Sequence, residues 1–217
     1  MRRRQLSNRP VRKMLRQMAS GEPVQVTSTM TSMKKLARLA FIAQQFGYEY
    51  ADVRQGGGSQ GNGFVLLIVP DPSPQARARA AQNWAQYPNA SDGVTLPPLV
   101  LDEVELLRAR IAFDLTAGFT DKQRMVIGGV GFSALAVSLG FTLGADTTAV
   151  VIAGIVWAAL MALLPIGLVV DRRYRAKYVA RLQAAGFTPV TDQGGRLRYV
   201  PPGRQLPGYG NPFAGGA

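Results

Sequence analysis

Two long apolar segments dominate the pattern of hydrophobic and polar positions along the chain. Residues 125–144 and 149–170 contain no Asp, Glu, Lys or Arg, and Asp146 is the only ionisable residue between them. A helix of about 20 residues extends about 30 Å, which matches the hydrocarbon core of a bilayer. The alternative is a buried helix pair in a soluble protein, but such helices normally keep a polar stripe toward water. We therefore predict a transmembrane helical hairpin with helices over 125–144 and 149–170.

Positive charge is concentrated at one end of this hairpin. The connecting turn contains no Lys or Arg, whereas basic residues flank both helices at their other ends. Because positively charged loops remain in the cytoplasm, we expect both termini to be cytoplasmic, in a multi-pass protein of the cell membrane. Abundant Ala, Gly and Arg favour a bacterial source, and hence the bacterial inner membrane. The flanking basic residues are Lys122, Arg124, Arg172, Arg173, Arg175 and Lys177.

Small residues recur at every fourth position in both apolar segments. Such stripes let two helix backbones approach closely in lipid, where apolar burial gives no net drive to associate. We expect these stripes to pack against each other within the hairpin rather than between subunits. The predicted helix-packing residues are Ala136, Gly140 and Gly144 in the first helix, and Gly154, Ala158 and Ala162 in the second.

The polar parts of the chain show short helical and strand patterns. Two stretches share the order helix, Gly, aromatic residue, strand, turn, strand, Val-Pro, at 28–70 and 171–201. Because an isolated two-stranded hairpin is barely stable in water, the two units can pair into one four-stranded antiparallel sheet covered by helices. Strands are predicted at 48–53, 64–69, 187–191 and 196–200, and helices at 28–46, 75–87, 101–115 and 171–185.

These patterns predict an α+β membrane protein with a two-helix transmembrane hairpin and a small cytoplasmic domain. The predicted segments are a basic N-terminal arm (1–23), a cytoplasmic α-β-β-α unit (24–98), an amphipathic juxtamembrane helix (99–120), the transmembrane hairpin (121–170), a cytoplasmic α-β-β unit (171–201) and a disordered Gly/Pro-rich tail (202–217).

The N-terminal arm combines basic residues with an amphipathic spacing. Val11, Met14, Leu15 and Met18 fall on one face of a helix. The chain carries 25 Lys and Arg against 13 Asp and Glu, a formal charge of +12, which favours anionic partners. The arm is therefore expected to contact anionic lipid headgroups, a plain disordered tail and a nucleic acid contact being the alternatives. The residues assigned to anionic lipid or nucleic acid are Arg2, Arg3, Arg4, Arg9, Arg12, Lys13, Arg16, Arg172, Arg173, Arg175 and Lys177.

Composition removes several kinds of chemistry. The chain has no Cys and no His, so thiolate metal sites, Cys nucleophiles and the commonest general base are missing. The acids at Asp102, Glu103 and Glu105 lie in the first turn of a predicted helix, where they complement its dipole. The glycine-rich loop at 56–63 joins two strands and lacks a phosphate-binding motif. We expect no catalytic residue, no metal and no cofactor.

Architecture and charge together favour a membrane-anchored, non-enzymatic adaptor. Its basic cytoplasmic domain would contact anionic lipid, an unidentified protein partner or nucleic acid. An oligomeric pore-forming or membrane-perturbing hairpin is the alternative, because the small-residue stripes permit tight assembly. A membrane enzyme is the least favoured class, since no catalytic motif converges on one site.

Overall fold

The computed structural model describes residues 9–28, 32–57, 63–118, 121–142, 144, 146–192 and 194–203. The chain is α+β, as predicted, and divides into two compact units. The first unit comprises Met1–Leu115 and Tyr178–Ala217, and the second comprises Thr116–Lys177. Arg2, Arg3, Arg4, most of the predicted tail at 202–217 and the centre of the glycine-rich loop lie outside the described residues.

The helices and strands follow in the order α1, β1, α2, β2, β3, α3, α4, α5, α6, β4 and β5. Their bounds are α1 Arg9–Met18, β1 Val24–Ser28, α2 Met33–Gln45, β2 Tyr48–Gly57, β3 Gly63–Pro70, α3 Pro74–Gln86, α4 Leu101–Ala117, α5 Asp121–Thr142, α6 Thr147–Ala184, β4 Thr188–Thr191 and β5 Leu197–Val200. A short 3₁₀ helix, Ala90–Asp92, lies between α3 and α4.

The strands form two separate antiparallel ladders. One sheet has the order β1-β3-β2, and β4 pairs only with β5 among the described strands. Both predicted hairpins are confirmed, but the single four-stranded sheet is not formed by the described residues. Sequence analysis missed β1, which pairs with the other edge of β3 with Val26 opposite Leu66. The pairing of β1 has a physical reason in β3. Because β3 is a continuous apolar run, it is typical of a buried strand with neighbours on both sides.

The core of the first unit lies between its three-stranded sheet and its helices. The predicted apolar face of α2 is buried throughout, from Leu36 to Phe46. The amphipathic face of α1 is also part of this core, because Val11, Met14, Leu15 and Met18 are all at most 6% exposed. The Tyr48 hydroxyl donates to the Met18 carbonyl oxygen at 2.7 Å, which holds the end of α1 against the sheet. The N-terminal helix is thus an integral part of the domain from Arg9 onward.

The second unit contains two helices that are long and apolar enough to cross a membrane. The candidate spans lie within Lys122–Thr142 and Val150–Ala184, where 18-residue windows have mean hydropathies of 1.8 and 2.4. Only 6% of the most apolar window of each stretch is buried. Helix α6 continues without interruption through Pro165 and the basic segment to Ala184. Exposed apolar helices of this length are typical of membrane spans rather than of soluble cores, whose helices are buried.

The two helices of this unit pack through small residues of α5 against both a small and a large residue of α6. Ala136 and Ala153 are each 8% exposed, and a Cβ built on Gly140 would lie 3.7 Å from the Ala153 Cβ. A Cβ built on Gly128 would lie 2.6 Å from Cδ2 of Leu164, so Leu164 fills the space that this glycine leaves. These contacts place the backbone of α5 close to α6, as small-residue packing in membranes does.

The predicted stripe on α6 lies beside this contact rather than in it. Ala158 and Ala162 are exposed, and a Cβ on Gly154 would meet nothing within 4 Å. Gly144 follows the end of α5 with φ +104°, where its role is to end the helix. Helix α6 instead places Ala153 opposite Gly140 and Leu164 opposite Gly128, so its contact residues lie on a different row from the predicted one.

The approach of α5 and α6 can be tested with an engineered disulfide, because the chain has no native cysteine. The double variant G140C/A153C places two Cβ atoms at about the separation of a disulfide, roughly 3.5–4.5 Å. We expect nearly complete oxidation in isolated membranes, measured as loss of thiols reactive to a polyethylene-glycol maleimide. The control G140C/A162C pairs Gly140 with an exposed position and should remain reduced. Equal oxidation of both pairs would contradict the packing described.

Candidate functional site

A cluster of buried charged side chains lies in the first unit. Four charged side chains are each at most 4% exposed: Asp52, Arg110, Asp114 and Arg198. They come from three elements, since Asp52 lies on β2, Arg110 and Asp114 on α4, and Arg198 on β5. Buried ions are costly unless each is paired and hydrogen-bonded, so their partners determine whether the unit is stable.

Arg198 links the two buried carboxylates. Its Nη2 lies 3.2 Å from Oδ2 of Asp114 and 3.5 Å from Oδ1 of Asp52. Arg196 extends the cluster toward solvent, because its Nη2 lies 2.8 Å from Oδ2 of Asp52 and its Nε 3.3 Å from Oδ2 of Asp192. The charges along this series of ion pairs therefore alternate in sign, from the buried Asp114 outward to the half-buried Asp192.

A β-bulge in β2 creates the position that Arg198 occupies. The pairing of β2 with β3 shifts by one residue between Tyr50 and Asp52, which takes Ala51 out of the ladder. Arg198 Nη2 donates to the Ala51 carbonyl oxygen. The backbone N–H of Val53 donates to Oδ1 of Asp52 at 2.8 Å, which orients that carboxylate. The bulge thus supplies both an acceptor and an oriented carboxylate to the same guanidinium.

The Tyr50 side chain contacts two members of the cluster, and an aromatic pair is formed by residues next to two of its members. The Tyr50 hydroxyl donates to Oδ2 of Asp114 at 2.7 Å, and the guanidinium carbon of Arg110 lies 4.9 Å from the centre of the Tyr50 ring. Phe113 and Tyr199 meet edge to face with ring centres 4.9 Å apart. Such contacts exclude water, which strengthens each ion pair inside the cluster.

Burial changes the titration of two of these groups. It raises the pKa of the Tyr50 hydroxyl well above the ordinary value, and the neighbouring Asp114 carboxylate raises it further. Burial lowers the pKa of Arg110, against the opposing effect of Asp114. Three carboxylates and three guanidinium groups balance each other: Asp52, Asp114 and Asp192 with Arg110, Arg196 and Arg198. This arrangement is suited to holding elements together.

The acids that sequence analysis singled out lie outside this cluster. Glu105 pairs with Arg108 at 3.4 Å, the i,i+3 contact that its spacing indicates, and with Arg181 at 3.4 Å. Asp102 and Glu103 are exposed in the first turn of α4. No group of three or more carboxylates among the described residues could hold a metal ion. Sequence analysis missed two buried acids of the cluster, Asp52 and Asp114. Asp114 follows Leu107 by seven residues on the apolar stripe of α4, and that position was the signal.

The basic residues assigned to anionic partners fall in two places. Arg9, Arg12, Lys13 and Arg16 line an open groove of about 490 Å³ on the exposed face of α1. Arg16 also pairs with Asp92 at 3.2 Å. The second group lies on α6, where Arg172, Arg173 and Lys177 are exposed and Arg175 is half-buried.

Comparison with known proteins returns no match for this chain. No protein-family model matches it, and no curated protein and no solved structure aligns with it significantly.

Removing one member of the buried cluster should destabilise the first unit strongly. Asp114→Asn leaves Arg198 with Asp52 as its one remaining buried countercharge and removes the carboxylate nearest to Arg198. Breaking a buried ion pair costs about 3–5 kcal/mol. Asp102→Asn makes the same chemical change at an exposed position of α4 and should cost about 0.5 kcal/mol or less. Denaturant unfolding of both purified variants in detergent measures the difference. Similar unfolding midpoints would show that the cluster contributes little.

Tyr50 should make stability depend on alkaline pH. The folded-state pKa is raised above 10.0, so at higher pH the unfolded chain loses the Tyr50 proton first. The contribution is therefore fully present below about pH 10 and is lost as the pH rises through the folded pKa. Tyr50→Phe removes a hydrogen bond to a carboxylate, about 1.5–3 kcal/mol at neutral pH. The stability gap between wild type and variant should narrow above about pH 10, and a constant gap would contradict this assignment.

Proposed function

We propose that this chain is a membrane-anchored, non-enzymatic interaction protein of the bacterial inner membrane. In this proposal α5 and α6 anchor the chain, both termini are cytoplasmic, and the basic face of α1 binds anionic lipid headgroups. The observation that carries the proposal is that the apolar face of α1 is buried in the domain core while its basic face is exposed.

The exposed apolar surface of the second unit supports the anchor. Large side chains on both helices face outward, with Val130 67%, Phe141 74% and Ile155 65% exposed. Soluble proteins rarely expose apolar patches of that extent, because water disfavours them. A hairpin in lipid satisfies its own backbone and needs no such cover.

The polar ends of the hairpin support its orientation. Arg124 Nη1 lies 2.7 Å from Oδ2 of Asp171, and Arg124 Nη2 donates to the Thr116 carbonyl oxygen. The open end therefore carries a fixed ion pair together with Arg172 and Arg173, whereas the turn carries the acidic Asp146. Basic residues at one end alone favour that end in the cytoplasm.

The burial of the α1 apolar face determines how this helix would meet a membrane. An interfacial amphipathic helix normally inserts its apolar face among the acyl chains. In α1 that face packs against the protein core, so Arg9, Arg12 and Lys13 would act through charge alone. Each basic residue near an anionic surface contributes about 1 kcal/mol, and the contact weakens as salt rises.

Topology can be tested by labelling single cysteines in this cysteine-free chain. Thr148→Cys lies at the turn and Arg173→Cys lies after the second span, and both positions are exposed. In spheroplasts an impermeant maleimide should label T148C directly and R173C only after permeabilisation. The chain should also sediment with membranes and require detergent for release. Recovery in the soluble fraction would refute the anchor, and labelling of R173C in intact cells would refute the orientation.

Lipid contact by α1 can be followed with a fluorescent label at Gln17→Cys, which lines the basic groove. We expect a blue shift in nanodiscs that contain anionic lipid, a loss of the shift at high salt, and no shift in zwitterionic lipid. R9Q/R12Q/K13Q should abolish it, whereas the charge-matched control K34Q/K35Q/R77Q should keep it. Arg16 is left unchanged because it pairs with Asp92. A blue shift with DNA but not with anionic lipid would show that α1 binds nucleic acid and would refute lipid as its partner.

A further inference from the structure

A second cavity in the first unit combines charges of both signs with an apolar wall. Its volume is about 220 Å³, smaller than the pockets of drug-sized ligands. It is lined by the last turn of α2, by α3 and α4, by Glu49 of β2, and by residues next to β3, β4 and β5. The cavity therefore draws on both segments of this discontinuous unit.

Arg110 supplies a hydrogen-bond donor at this cavity that the described residues leave unused. The side chain lines the cavity and is 3% exposed, yet its Nε finds no acceptor among the described residues. One side of its guanidinium carbon faces the Tyr50 ring at 4.9 Å. An unpaired buried donor costs about 1–3 kcal/mol, so an acceptor on a ligand would recover that cost.

Negative charge lies along another part of the same cavity. Glu49, Asp71 and Glu103 line it, against the two cations Arg79 and Arg110. The end of α2 at Gln45 adds the partial negative charge of a helix C-terminus. Each carboxylate can accept several hydrogen bonds, so one that already has a partner within the protein can also accept from a ligand. The excess of negative charge disfavours a simple anion.

The remaining wall is apolar. Leu106, Leu107, Phe187 and Pro201 line it, and Leu107 belongs to the buried core. A ligand that fits would therefore have one carboxylate-like acceptor, one cationic donor and a small apolar part. These features in about 220 Å³ describe a free amino acid with an aliphatic side chain better than a nucleotide or a sugar.

We propose that this cavity binds a zwitterionic small molecule of amino-acid size. Arg110 holds its carboxylate, Glu103 and Glu49 hold its ammonium group, and the side chain lies against Leu106 and Phe187. This site is independent of the membrane contact of α1, so the two proposals stand or fall separately.

The test is calorimetric titration of the full-length chain in detergent with L-leucine and two derivatives. N-acetyl-leucine lacks the ammonium charge, and leucinamide lacks the carboxylate. We expect leucine to bind with a dissociation constant of about 1 mM or lower. Each derivative should bind at least about tenfold more weakly, because either the buried Arg110 or the pair of the exposed Glu103 and the half-buried Glu49 then lacks a charged partner on the ligand.

Two substitutions on α4 provide a matched pair. Glu103→Gln removes a charge at the cavity and should weaken leucine binding about tenfold, whereas Asp102→Asn on the adjacent exposed position should not change it. Arg110→Lys keeps the charge but removes Nε, and should also weaken binding. Should that buried substitution unfold the domain, the E103Q and D102N pair still decides the question.

Three outcomes would overturn the proposal. The first is no heat and no rise in unfolding temperature with leucine, isoleucine, valine or methionine. The second is binding of N-acetyl-leucine or leucinamide as tight as that of leucine, since the site would then recognise a simple anion or cation. The third is equal leucine binding by E103Q and D102N.

Discussion

The pairing of Arg198 with Asp114 and Asp52 holds the first unit together. These groups lie on β5, α4 and β2, so one guanidinium connects three elements that are far apart in sequence. The packing of α4 and β2 into an apolar core buries both carboxylates, so each of them needs a partner within the protein. Removing Arg198 would leave the buried Asp114 without its ion-pair partner at 3.2 Å and Asp52 with Arg196 alone, and breaking a buried pair is more costly than the pair itself is stabilising. The cluster thus contributes specificity of docking as well as stability.

Because the apolar face of α1 is buried in the core, the basic residues of α1 can meet a partner only through the opposite, exposed face. The spacing of Val11, Met14, Leu15 and Met18 is equally typical of a helix on lipid and a helix on protein. In this structure the apolar face packs against the protein core, and the basic residues lie on the opposite, exposed face of the helix. Under the proposed function, this surface would associate with anionic lipid through long-range charge, a mode of association that is rapid, reversible and sensitive to ionic strength.

Periodicity in the sequence predicts most elements but not how they assemble. The apolar faces of α2 and α4 and the two hairpins follow from spacing, and the burial of Leu36 and Leu107 agrees with it. The edge strand β1 is short, and its pairing depends on the far side of β3, which local patterns do not report. Periodicity did not predict the buried cluster, because Asp and Arg are residue types that usually lie on the surface. Only three-dimensional packing brings them to one place.

The discontinuity of the first unit imposes an order on its synthesis. A ribosome delivers Asp52 and Asp114 early, whereas Arg196 and Arg198 emerge only after α5 and α6 have been made. Until then the N-terminal part carries Asp52 without Arg196 or Arg198, Asp114 without Arg198, and a bulge whose carbonyl has no donor from β5. Completion of the first unit therefore waits until β5 has been synthesised, so a chain truncated after α6 would expose an unfinished core.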